Sequence, residues 1–345
     1  MNSNFYIDKG LSGLVNLGNT CFMNTAIQCL SHTIHFTDYI LTDKYLEYLN
    51  KEKKEYYLTL EWSQLIKDIW SQNKLIKPDK FLRCLQLLAL NKGRDQFRGF
   101  NQEDTTEFLN FLIDSIHESI CREVNIVITG EPENDLDLMA LDAVKSWKQY
   151  FENQYSICID LFYGQYVSKI MNCQDNKDFS LSYEPFFCHS LEIPNKNGNI
   201  TIYDCLSKFC NTELLYNDNQ WNSEKYNQKV DALKQIMFWK TPLIFIISFK
   251  RNINMFKKNN QLVEFPLYEL NLKDFCVGYD KYNSIYDLFA VCNHSGGGGY
   301  GHYWAYCKNP NGKWYCMNDN NVNEIPENKI VSNNAYCLFY KKRET

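Results

Sequence analysis

Three side chains spread across a 345-residue chain could act together as a thiol nucleophile, its base and the group that orients the base. Cys21 lies in Asn16-Leu-Gly-Asn-Thr-Cys21-Phe-Met-Asn24, where a loop containing glycine gives way to a helical pattern. A thiol at a helix N-terminus meets the positive end of the dipole and unpaired backbone amides, and both favour the thiolate. The same amides, with a nearby carboxamide, could donate to the oxyanion formed when a thiolate attacks a carbonyl. Taken alone, Cys21 also fits a small buried hydrophobe at a helix start. His302 follows a run in which five of the six residues 296–301 are glycine, and it enters an aromatic strand. Such a run lets the backbone bend sharply or approach a ligand closely, although a strand histidine by itself is also an ordinary structural residue. Sixteen residues on, Asn318 and Asp319 end the strand begun at Trp314. An Asn or Asp accepting from the ring N–H is the usual way to orient an imidazole base.

These residues need elements to hold them. Ala26, Ile27, Leu30 and Ile34 recur at helical spacing, so a helix is expected to begin just after Cys21. Residues 56 to 90 are helical in pattern, with a break at Lys77-Pro78, because the residue before proline avoids the helical region. Phe108, Leu109, Leu112, Ile113 and Ile116 form one apolar stripe behind Glu103 and Asp104, an acidic start that suits a helix dipole. Glu131-Pro-Glu-Asn-Asp-Leu-Asp reads as a surface loop or insertion. Beyond about residue 155 strand-like runs take over, among them Leu161 to Ile170, Leu243 to Phe249, Leu288 to Cys292, His302 to Cys307, Trp314 to Cys316 and Ala335 to Tyr340. Helices first and an antiparallel sheet later make an α+β order, with no internal repeat.

Composition narrows the function. The chain is long enough for a sizeable core, and 15% aromatic content with a net charge of −5 argues against disorder. An isoelectric point of about 5.8 gives no basic footprint for nucleic acid. An even count of fourteen cysteines invites a disulfide framework, but that device belongs to short secreted chains. The start MNSNFYIDKG has neither the charged nor the apolar region of a signal peptide, and no apolar run approaches the ~18 residues of a membrane helix. The expectation is an intracellular protein, cytoplasmic or nuclear, with reduced cysteines and with neither nucleic acid nor a membrane as a partner.

The residues also carry a resemblance. The order Cys, His, Asn matches papain-like enzymes. Gly13-Leu-Val-Asn16-Leu-Gly-Asn-Thr-Cys21-Phe-Met-Asn24-Thr-Ala-Ile-Gln28 resembles the cysteine box of the ubiquitin-specific proteases almost position for position. Tyr286-Asp-Leu-Phe-Ala-Val-Cys-Asn293-His294-Ser-Gly, Gly301-His302-Tyr-Trp-Ala-Tyr306 and Trp314-Tyr-Cys-Met-Asn318-Asp319 together resemble the family's histidine box. Gln102-Glu-Asp104-Thr-Thr-Glu107-Phe108-Leu109 is similar to its glutamine-aspartate box, and Leu161-Phe-Tyr-Gly164-Gln165 and Phe249-Lys250-Arg251 match further landmarks. The similarity runs from about residue 11 to 340.

That resemblance implies a single papain-like α+β catalytic domain, 11–340. A helical thumb would span about 11–155, β fingers mainly 156–240 and an antiparallel β palm mainly 241–340. It implies a deubiquitinase in which Cys21 is the nucleophile, His302 the general base and Asn318 the orienting group. Asp319 would support the base or the network around it, and Asn16 would donate to the oxyanion. Gln102, Asp104 and Glu107 fall where the family contacts the basic tail of ubiquitin, and carboxylates there can form charge-assisted hydrogen bonds to arginine. Without the family, the acidic pair reads equally as charge complementing a helix dipole. His294, Tyr300 and Gly301 would border a channel narrow enough to select a Gly-Gly end. Tyr300 stands where many members carry glycine. The resemblance leaves open a protease for a ubiquitin-like modifier and an inactive ubiquitin-binding scaffold. The expected partners are ubiquitin and ubiquitinated proteins, with a monomeric enzyme.

One departure concerns metal. Many family members hold zinc in the fingers with two Cys-x-x-Cys pairs, and four thiolates are the usual demand of a closed structural site. Here the first pair reads Cys173-Gln-Asp-Asn176 and the second falls in Trp221-Asn-Ser-Glu-Lys225, with no Cys-x-x-Cys in the chain. No metal and no cofactor is therefore expected.

Overall fold

The computed structural model describes residues 3–252, 257–297 and 300–344. Its N-terminal part is helical. Strand β1 (Gly13–Leu14) leads into α1 (Cys21–Ser31) and α2 (Ile34–Leu41), followed by α3 (Tyr56–Ser71), β2 (Leu75–Ile76) and α4 (Asp79–Asn91). Then come α5 (Thr105–Ile120), α6 (Asp135–Phe151) and α7 (Ile157–Phe162). The helix after Cys21 starts at Cys21 itself and stops at Ser31, so Ile34, in phase with its apolar stripe, opens a separate helix. Between Lys77 and the chain before it, β2 pairs in parallel with β1 and ties the loop ahead of α1 to the helical lobe. The acidic segment near residue 133 is only half a loop: Asn134 caps α6, its side chain accepting from the Asp137 N–H, and Asp135 and Asp137 occupy the first turn, where negative charge suits the dipole.

The middle of the chain forms β3 (Gly164–Asn172), β4 (Phe179–Phe186), β5 (Cys188–Leu191) and β6 (Ile200–Thr201), then α8 (Ile202–Cys210). Strands β7 (Glu213–Leu215), β8 (Trp221–Ser223), β9 (Gln228–Val230) and β10 (Ala232–Lys240) follow. Four of these strands make an antiparallel sheet in the order β4-β3-β10-β7, and β8 and β9 form a hairpin of their own. Leu161 and Phe162 close α7 instead of opening a strand, and the run of strand residues starts at Gly164. Helix α6 packs on this sheet through Ala143, which clusters with Val167, Tyr183 and Trp239.

The last third supplies β11 (Ile244–Phe249), β12 (Val263–Glu264), β13 (Leu270–Asn271), β14 (Ile285–Gly296), β15 (Gly301–Lys308), β16 (Trp314–Asn318), β17 (Asn321–Ile325) and β18 (Ala335–Lys342). The large sheet runs β17-β16-β15-β14-β18-β11-β5, antiparallel apart from the pairing of β5 with β11. Strand β11, Ile-Phe-Ile-Ile-Ser-Phe, is buried at every position, as expected of a strand covered on both faces. One face meets α8 and the apolar cluster of Leu206, Phe245 and Tyr286; the other meets α1. All eleven residues of α1 are buried, because the helix lies between the sheet and the other helices. No helix among the described residues is long and apolar enough to cross a membrane.

Candidate active site

The loop before α1 is shaped by one side chain. Asn16 Oδ1 accepts from the backbone N–H of Gly18 (3.1 Å) and of Thr20 (3.1 Å), while Gly18 and Asn19 take positive φ. The N-cap residue Thr20 gives no side-chain hydrogen bond to the helix, because its hydroxyl accepts instead from the Leu17 N–H. The first amides of α1 are thus left to other acceptors. The backbone amides of Tyr303, Phe22 and Cys21 itself act on the Cys21 sulfur and favour its thiolate.

Those amides do not win the electrostatic contest. Burial pushes the Cys21 thiol above its usual pKa, the Asp319 carboxylate adds to the rise, and the amide bonds offset part of it. The sequence alone suggests a lowered pKa. What it misses is that Cys21 is 3% exposed and lies near an anion from residue 319.

The Tyr303 amide on the Cys21 sulfur puts the thiol beside the residue that follows His302. The His302 imidazole lies near-parallel to the Trp304 ring, and its Nε2 is 2.7 Å from Asn318 Oδ1. A carboxamide oxygen only accepts, so the Nε2 proton is fixed and Nδ1 is left as the basic nitrogen. Strands β15 and β16 pair in register from Ala305 to Lys308, which delivers Asn318 next to His302.

Asp319 does not bond to the imidazole. One carboxylate oxygen accepts from Asn16 Nδ2 (2.9 Å) and the other from Asn24 Nδ2 (2.8 Å), and its backbone oxygen accepts from the Leu14 N–H (2.8 Å). The turn after Asn318 is therefore clamped to β1, the loop and α1 together. Gly13 makes room for it, since a Cβ there would overlap the Asn320 carbonyl. Asn24, buried in the second turn of α1, is a site residue that motif reading left without a role. Its signal is the i, i+3 spacing from Cys21, which puts it on the same helix face.

A cleft of about 570 Å³ borders this centre and is lined by Gln102, Glu103, Asp104, Glu107, His294, Tyr300 and Tyr303, among others. Gln102 Oε1 accepts from the Gly301 N–H (2.7 Å), joining the start of α5 to the exit of the glycine run. Gly301 admits no side chain, because a Cβ would overlap the Ser295 carbonyl and His294 Nε2. Tyr300 lines the cleft with its ring 66% exposed; Gly298 and Gly299 of the run lie outside the described residues. Asp104 is the N-cap of α5: Oδ1 accepts from the N–H of Thr106 (2.7 Å) and Glu107 (3.1 Å), and Oδ2 accepts from the Tyr336 hydroxyl. The carboxylate of Asp104 thus serves the helix, as the dipole reading expects, and that of Glu107 stands exposed in the cleft. Burial, with the charges of Glu107 and Asp104, raises the pKa of Glu103.

The region expected to have lost zinc is held differently. Asp178 accepts from Asn172 Nδ2 (2.9 Å) and Ser223 Oγ (2.8 Å), and Asp175 pairs with the Lys225 ammonium and the Tyr226 hydroxyl (2.9 Å). One exposed thiol, Cys173, and two carboxylates already engaged, one by an ammonium, do not fit the donor set of a closed zinc site. Among the described residues no three His, Cys, Asp or Glu side chains are grouped to hold a metal ion.

With this geometry in place, likeness to known proteins becomes informative. The human protein named Ubiquitin carboxyl-terminal hydrolase 2 is 34% identical over 343 residues, covering 96% of this chain and 55% of its own length. Rat Ubiquitin carboxyl-terminal hydrolase 21 is 33% identical over 363 residues, covering 97% of this chain and 62% of its own length. The chain thus spans little more than half of these relatives. Among solved structures, one described as the SAGA Ubp8/Sgf11/Sus1/Sgf73 DUB module bound to ubiquitin aldehyde superposes with a TM-score of 0.76 at 26% identity, over 99% of this chain and 71% of that one. The fold is the papain-like one of helical thumb, β fingers and β palm. The family model described as Ubiquitin carboxyl-terminal hydrolase matches residues 12–340, and the chain belongs to that family.

Proposed function

We propose that the protein is a cysteine deubiquitinase that hydrolyses the isopeptide bond between the ubiquitin C-terminal glycine and a lysine. The observation that carries the reading is the thiol of Cys21 held against the Tyr303 amide, one residue from an imidazole whose Nε2 is fixed 2.7 Å from Asn318.

Each step follows from these atoms. His302 Nδ1 takes the proton of the Cys21 thiol, which burial otherwise keeps protonated, as the sulfur attacks the glycine carbonyl carbon. The amides at the open start of α1 and the Asn16 carboxamide stabilise the oxyanion. His302 then returns the proton to the departing lysine nitrogen. The C–N bond breaks, a thioester remains on Cys21, and water activated by the same imidazole releases ubiquitin. The acidic rim of Glu103, Asp104 and Glu107 attracts a basic tail, and the tight backbone around Gly301 suits glycine residues. No cofactor enters the chemistry, and the fingertip stands without zinc on its Asp175 and Asp178 networks; metal analysis finding one tightly bound equivalent of zinc would overturn that part.

A ubiquitin probe with a C-terminal electrophile tests the reading. Wild-type protein under reducing conditions should form a covalent adduct at Cys21, and Cys21→Ala should form none while still binding ubiquitin. Absence of an adduct on wild type sinks the enzyme reading in favour of a binding scaffold. Labelling by probes built on a ubiquitin-like modifier, and not on ubiquitin, reassigns the substrate.

A further inference from the structure

Lys258 is a buried lysine that the mechanism above does not use. It is 9% exposed, and its ammonium lies 3.0 Å from His294 Nδ1 and 2.6 Å from the His294 carbonyl oxygen. Among the described residues no carboxylate pairs with it: the groups facing it are the Arg251 guanidinium and the Tyr336 ring, whose centroid is 6.0 Å away. Such a charge is costly to bury unless something needs it there.

The partner is the informative residue. His294 lines the cleft, stacks on Tyr303 with ring centroids 4.3 Å apart, and faces Gly301 with Nε2. Tyr303 is the residue whose amide meets the Cys21 sulfur. An ammonium has three donors and no acceptor, so His294 Nδ1 must be the acceptor of their hydrogen bond. The single ring proton of a neutral imidazole then sits on Nε2, on the side of Gly301.

We propose that Lys258 is a positioning residue of the substrate cleft, holding His294 as the neutral tautomer that presents an Nε2–H donor beside Gly301 to a carbonyl of the bound tail. Two consequences follow from charge. The ammonium also keeps His294 from taking a second proton: burial first, then Lys258 and His302, hold His294 down at about 4. A second imidazolium would otherwise stand close to His302, where the attack step needs a base. Burial and Arg251 in turn hold Lys258 down at about 8, so the lock is complete near neutrality and weakens as pH rises through that value.

The inference draws on the deubiquitinase reading only for its kinetic arm, so a direct measurement comes first. In 15N spectra of histidine-labelled wild-type protein, with six histidines to resolve and His294→Gln to assign the signal, His294 should show an unprotonated Nδ1 and a protonated Nε2 from pH 6 to 7.5. In Lys258→Met the signal should become a mixture of tautomers and titrate at higher pH, and Lys258→Arg should restore the wild-type pattern. With a ubiquitin-based substrate, Lys258→Met should raise KM about tenfold with a smaller change in kcat, about the size of one lost hydrogen bond. A protonated Nδ1 in wild type overturns the proposal, as does a Lys258→Met protein with the tautomer unchanged. If the tautomer is as stated and wild type cleaves no ubiquitin substrate, the deubiquitinase reading fails and the positioning role stands.

Discussion

Helices α1 and α5 start within the same site and treat their first turns in opposite ways. At α5, Asp104 supplies a full side-chain cap and a bond to Tyr336, so the helix end is finished as a structural joint. At α1, Thr20 turns its hydroxyl back to Leu17 and caps nothing, and the amides of Cys21 and Phe22 act on the sulfur. Capping contributes about 1 kcal/mol to a helix. The open end forgoes that gain and keeps donors where an oxyanion would form, while the burial of all of α1 holds the helix without a cap. The contrast separates a helix start closed by its cap from one that leaves its first amides open to the proposed chemistry.

Substitutions can break that contrast, beginning with the largest effect. Asn16→Ala removes both the loop's acceptor and the carboxamide donor, and kcat should fall about 100-fold or more, the usual loss for an oxyanion donor. A change of only a few-fold in a ubiquitin cleavage assay would mean the α1 amides suffice. Asp104→Ala should cost about 1 to 2 kcal/mol in denaturant unfolding, because two amides and a tyrosine hydroxyl lose their acceptor. Its effect on kcat should be small and its effect on KM larger; an unfolding midpoint equal to wild type would contradict the joint role. Asp319→Asn removes the negative charge that raises the Cys21 pKa, so the rate of Cys21 alkylation should reach its half-maximum at a lower pH than in wild type. No shift, or a shift upward, would show that the carboxylate acts on the loop alone.

Much of this arrangement is legible in the sequence, and what is not has physical reasons. Cys21, His302 and Asn318 declare themselves through local context: a loop-to-helix junction, a glycine run and a strand end. The stripe of Phe108, Leu109, Leu112 and Ile116 gives α5 directly. Helix α8 escapes because it is only nine residues long and lies among strand-like runs, although Ile202, Cys205, Leu206 and Cys210 recur at helical spacing and Thr201 and Asp204 form a capping box that marks its start. The break between α1 and α2 escapes because Ile34 stays in phase with the stripe before it, with no glycine or proline between. The clamp of Asp319 by Asn16 and Asn24, and the bond of Asp104 to Tyr336, join residues more than 200 apart, and no local pattern encodes such pairs. The raised Cys21 pKa belongs to the same class, since burial and the Asp319 charge exist only after folding.

The clamp on Asp319 has a mechanical consequence. Asn318 and Asp319 are neighbours, yet one holds the imidazole while the other grips the loop and helix that carry the thiol. The hairpin turn thus acts as a gauge block between the Cys21 loop and the His302 imidazole. The loop and helix that carry Cys21 cannot shift at this point without pulling on the residue next to Asn318, so the spacing of thiol and imidazole is tied to one turn of backbone.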